Sequence, residues 1–87
     1  MGAMLVNLHY RGKKIEVRQE AEISLSLWVD GCLRKKRPIR ENVYLWTNIE
    51  LEWEEHHYVE VYFQGDTGSL KITANGNILF DREEESG

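Results

Sequence analysis

The chain has 87 residues, is 41% hydrophobic and 30% charged, and carries a formal net charge of -4. That length predicts one small domain that buries about 60 to 65% of its extended surface. The acidic balance excludes a general polyanion binder, which needs a positive excess to displace counterions from phosphates. One cysteine, Cys32, excludes an internal disulfide and predicts a reducing compartment, the cytoplasm. No apolar run approaches the roughly 18 residues of a membrane span, and the N-terminus lacks the regions of a signal peptide.

Taken in chain order, Met1 to Ala3 read as a cloning remnant ahead of a native Met4. The expected domain runs from 4 to 82, followed by an acidic flexible tail over 83 to 87. Strands are expected near 4 to 10 and 13 to 19, where Gly12 separates them and Ile15 and Val17 alternate with polar residues. Over 22 to 29, Ile23, Leu25, Leu27 and Val29 share one parity, while Glu22, Ser24, Ser26 and Trp28 take the other. Asp30-Gly31 tolerates the positive φ angles of a tight hairpin and leads to a strand near 32 to 36, with Pro38 in the connection that follows.

A strand near 43 to 53, with an interruption allowed at Thr47 and Asn48, alternates Ile49, Leu51 and Trp53 with Glu50, Glu52 and Glu54. Strands near 57 to 64, 69 to 74 and 77 to 82 complete the chain, joined by "GDTG" and Asn75-Gly76. A helix over 49 to 60 would bring glutamates into its buried stripe, so no segment favours a helix. Short connections make neighbours antiparallel. The expectation is an all-β meander of about seven or eight strands, folded as a β-sandwich or a partly open barrel.

The chemistry-bearing residues crowd at Glu54, Glu55, His56 and His57. If the apolar sets on either side face one core, cross-strand partners have an even sum, which calls for an odd loop such as 54 to 56. His57 then points inward beside Trp53 and His56 sits in the turn. Adjacent strand residues point to opposite faces, so the pair is a poor chelator, and His9 and Cys32 stand at no ligand spacing to it. No metal, cofactor or catalytic set is expected. Cys32 lacks a nucleophile motif, Glu50, Glu52 and Glu54 follow ordinary solvent patterning, and "GDTG" lacks a phosphate-loop lysine.

What stands out is aromatic residues on outer parities. Trp28 should lie across a two-residue turn from Leu33, with Tyr58 and Tyr62 outward beside Glu60, and Tyr44 and Trp46 opposite in parity to Val43 and Leu45. Trp28, Leu33, Tyr58 and Tyr62 are therefore the expected contacts of a non-enzymatic module that binds a protein partner or its own copy, through this aromatic face or an edge strand. The alternative is nucleic-acid or anion binding by the basic segment Arg34, Lys35, Lys36, Arg37 and Arg40, with Trp28 or Trp46 available for stacking. The turn dipeptides are ones that any meander uses, and they assign no family.

Overall fold

The computed structural model describes residues 2–21, 23–51 and 55–82, with the side chains of residues 2 and 3 left aside. Eight strands follow in chain order: β1 Gly2–Tyr10, β2 Lys13–Glu20, β3 Ser24–Val29, β4 Cys32–Pro38, β5 Asn42–Leu51, β6 Glu55–Gln64, β7 Leu70–Ala74 and β8 Asn77–Arg82. They form two antiparallel four-stranded sheets, β1-β2-β3-β4 and β5-β6-β7-β8, within the compact units Met1–Ile39 and Arg40–Gly87. The all-β meander expected from period-two patterning is what forms. Neither sheet closes into a barrel, and among the described residues no helix is long and apolar enough to cross a membrane.

In the first sheet, Val6, Ile15, Val17, Leu25, Leu27 and Val29 are buried, and the ladder pairs Ile15 with Val29 and Val17 with Leu27. In the second, Val43, Leu45, Ile49, Val59, Val61, Phe63, Leu70 and Ile72 are buried, with Leu45 paired to Val61 and Val61 to Ile72. Each sheet thus buries the apolar parity of its central strands, and Glu16, Ser26 and Thr73 of the opposite parity are buried with it.

Two equivalent turns hold these ladders in register. Asp30 (φ 50°) precedes Gly31 between β3 and β4, and Asn75 (φ 49°) precedes Gly76 between β7 and β8. Both take the left-handed region at the two central residues, the twist a two-residue hairpin needs. Each short polar side chain also reaches the next strand: Lys14 N donates to Asp30 Oδ1 and Tyr58 N donates to Asn75 Oδ1, both at 2.8 Å. The backbone N-H of Asp30 donates in return to Lys14 O at 2.8 Å, and that of Asn75 to Tyr58 O at 2.9 Å. A turn residue therefore fixes the backbone of Tyr58.

Four local expectations are corrected. Ile23 is 68% exposed because it lies in the β2–β3 connection, where its N-H bonds Glu20 O, and the ladder starts only at Ser24. Pro38 ends β4 opposite Ser24, which its missing N-H permits because β4 is an edge strand. Gly2 and Ala3 pair with Glu20 and Gln19, so β1 begins before Met4.

The β5–β6 turn comes two residues earlier than expected: Leu51 pairs with Glu55 and Ile49 with His57. The even sum holds, but His56 is in the strand opposite Glu50 and not in the turn. A turn at 54 to 56 would have set Glu50 directly against Glu60, a like-charge pair that the observed register avoids. Glu52, Trp53 and Glu54, and with them the expected His57–Trp53 contact, lie outside the described residues, as does the 83 to 87 tail.

Candidate functional site

The cross-strand register pairs a tryptophan with a glutamate once in each sheet. On the outer face of the first sheet Glu16 of β2 lies opposite Trp28 of β3, and on the outer face of the second Trp46 of β5 lies opposite Glu60 of β6. Side chains two residues away on a strand share its face, so Glu16 is flanked by Lys14 and Arg18, whereas Glu60 is flanked by Tyr58 and Tyr62.

In the first sheet the basic neighbours close over the pair. Arg18 Nη2 stands 2.8 Å from Glu16 Oε2, and its guanidinium carbon lies 4.3 Å from the centre of the Trp28 ring. Lys14 Nζ is 3.6 Å from Glu16 Oε1. Beneath them, Trp28 Nε1 donates to Ser26 Oγ at 2.8 Å, and Ser26 Oγ donates to Arg18 O at 3.4 Å. Glu16 is left 2% exposed and Ser26 fully buried on what parity alone labels a solvent face. The hydrogen bond from Arg18, more than its charge, holds the Glu16 carboxyl below the usual glutamate range, against the opposing cost of burial.

In the second sheet the corresponding neighbours are rings. Tyr44 and Tyr62 are cross-strand partners with ring centres 5.2 Å apart, and Trp46 and Tyr58 lie 6.0 Å apart. Both tyrosine hydroxyls of the first pair donate to Glu60 Oε2, Tyr44 at 2.5 Å and Tyr62 at 2.9 Å. Those bonds hold the Glu60 carboxyl below its ordinary value and push Tyr44 up to about 12, with Tyr62 raised as well. The rings are about half exposed: Tyr44, Trp46, Tyr58 and Tyr62 lie between 42% and 51%. Ile78, opposite Thr73 on the same face, is exposed too. At the far end of the face Asn48 Nδ2 lies 3.1 Å from His56 Nδ1.

The expected contacts therefore fall in different sheets. Trp28 and Leu33 are cross-strand partners in the first, with Trp28 half-buried beneath Arg18 and Leu33 exposed. Tyr58 and Tyr62 lie in the second, where the register joins them to Tyr44, Trp46 and Glu60. Outer parity already marked Tyr44 and Trp46, but grouping them with Tyr62 and Glu60 requires the register. The Glu16–Arg18 clasp was missed, although "KIEVR" places the two residues on one face at a spacing of two.

The basic segment does not form a one-sided patch. A bulge between Leu27 and Trp28 sets Arg34 out of the ladder. Lys35 and Arg37 then oppose the buried Leu27 and Leu25, while Lys36 opposes Ser26 on the other face. Lys36 Nζ is 2.8 Å from Glu20 Oε2, and Arg40 lies beyond the strand. Charges on the inward parity of an edge strand are a known guard against pairing with another sheet. Cys32 is an exposed free thiol at the start of β4.

Half-buried His57 has Nε2 3.4 Å from Glu55 Oε2, and among the described residues no three His, Cys, Asp or Glu side chains converge on a common point. Comparison with protein families, curated proteins and solved structures finds no match for this chain.

Proposed function

We propose that this chain is a non-enzymatic protein-interaction module whose contact surface is the outer face of β5 and β6. The observation that carries the reading is four aromatic side chains, Tyr44, Trp46, Tyr58 and Tyr62, each at least 42% exposed and gathered around one carboxylate. Large amphipathic rings with few rotatable bonds supply contact area at low entropic cost, which is why Tyr and Trp dominate binding hot spots. Here two of the rings are already oriented by Glu60, so less freedom is lost on docking. The single exposed thiol, Cys32, agrees with a reducing compartment such as the cytoplasm.

Selection of binders from a random peptide library on the intact chain tests the reading. Binding should fall at least tenfold with Trp46→Ser and with Tyr62→Ala, and should be unaffected by Leu33→Ser. Binders indifferent to both aromatic substitutions would refute it. Anion binding by Arg34, Lys35, Lys36, Arg37 and Arg40 is the weaker reading, because Lys35 and Arg37 lie on one face of β4 and Lys36 on the other, where Glu20 engages it. Strong salt-dependent retention on a polyanion column would revive it.

A further inference from the structure

The first sheet contains a worked example of what a cross-strand tryptophan and glutamate hold. Arg18 lays its guanidinium over the Trp28 ring and directs an N-H at Glu16. Ring and carboxylate act together there, the π face attracting the cation and the acid taking a charge-assisted hydrogen bond. The second sheet again sets a tryptophan directly opposite a glutamate, but places Tyr58 and Tyr62 at the two flanking positions that Lys14 and Arg18 take in the first. Strand β6 thus supplies aromatic walls around Glu60 and no guanidinium of its own. The face is acidic as well: Glu50, Glu60 and Asp81 lie on it against a single lysine, Lys71, which sits across from Tyr62 and opposite Asp81.

We propose that the aromatic face of β5 and β6 recognises an arginine side chain on an extended segment of a partner protein, the guanidinium stacking among Trp46, Tyr58 and Tyr62 and donating to Glu60. The proposal rests on the protein-binding reading above and names the group that it captures. Arginine suits the site better than lysine, because a planar, weakly hydrated guanidinium stacks on rings and donates to a carboxylate at once. The two tyrosine hydroxyls keep Glu60 ionised and in place, so the anion is present before the partner arrives.

The test uses ten-residue peptides of one neutral background with Arg, citrulline, Lys or Leu at the centre. Each is titrated against the full chain and followed by calorimetry. The wild type should bind the arginine peptide at least tenfold more tightly than the citrulline peptide, its uncharged isostere. Glu60→Gln should erase that preference, and Trp46→Ser should abolish binding, with circular dichroism confirming that both variants keep the β fold.

Equal binding of the Leu and Arg peptides that still depends on Trp46 would overturn the arginine assignment and leave the protein-binding reading standing. Binding of no peptide in a Trp46-dependent way would overturn both. Preferential binding of a peptide copied from residues 34–40 of this chain, with a mass that grows with concentration, would overturn the separate partner in favour of a second copy.

Discussion

The two tryptophan–glutamate pairs are each directly opposed across neighbouring strands and end in opposite states. Around Glu16 the chain provides its own cations, so Trp28 is half covered and the carboxylate is 2% exposed. Around Glu60 it provides tyrosines, so the carboxylate is fixed by hydroxyls while the rings stay about half exposed. Two residues on one strand decide whether a face is closed by its own chain or left available. Alternation along a strand says which way a side chain points, and the identity of its diagonal neighbours says whether water reaches it.

Stability measurements can break that contrast. The largest effect should come from Trp28→Ala, which removes a half-buried ring from under Arg18: about 2 kcal/mol by urea denaturation, against about 1 kcal/mol or less for Trp46→Ala. The reverse order would mean that the second face, not the first, is the structural one.

The next effect tests the turn that fixes Tyr58. Asn75→Ala loses the bond to Tyr58 N and puts a poorer residue at φ 49°, so it should cost about 1 kcal/mol. It should also broaden the Tyr58 ring resonances. Asp30→Ala should act in the same direction through Lys14 while leaving Tyr58 unchanged.

Titration separates the faces further. Tyr44 has a raised folded value, so its contribution to stability is complete below the ordinary tyrosine value near 10 and is lost as pH rises from there through about 12. Absorbance at 295 nm should show a late-ionising component from Tyr44 and Tyr62 that shrinks in Tyr44→Phe. Glu60 and Glu16 have lowered values, so their contributions are present above the ordinary value of 4.5 and fade as pH falls below it. Glu60→Gln should bring the ionisation of Tyr44 back toward that of an ordinary tyrosine. The smallest effect is Lys36→Ala, which opens an exposed pair with Glu20 and should leave the urea midpoint unchanged within error.

Much of the architecture was legible because period-two alternation and the Asp30-Gly31 and Asn75-Gly76 turns are local signals. The Trp28–Leu33 pairing followed from turn length alone. The β5–β6 register was not legible, since several odd loops satisfy the same parity. The choice among them is made by pairs such as Glu50 with His56, which replace a clash of Glu50 with Glu60. The exposed aromatic cluster inherits that limit: Tyr44 and Tyr62 are 18 positions apart, and only the ladder makes them neighbours. The cover over Trp28 escaped for another reason, because a charged side chain placed over a ring breaks the rule that outer parity means exposure.

Within each sheet every strand pairs only with the strand before or after it in the chain. The ladder can therefore grow one hairpin at a time, each step closing only a short loop. Loop-closure entropy is what slows most β proteins, whose strands must find partners far away in sequence. A chain wired this way should fold quickly for its class, with single-exponential refolding in milliseconds or less and no slow phase from long-range strand search.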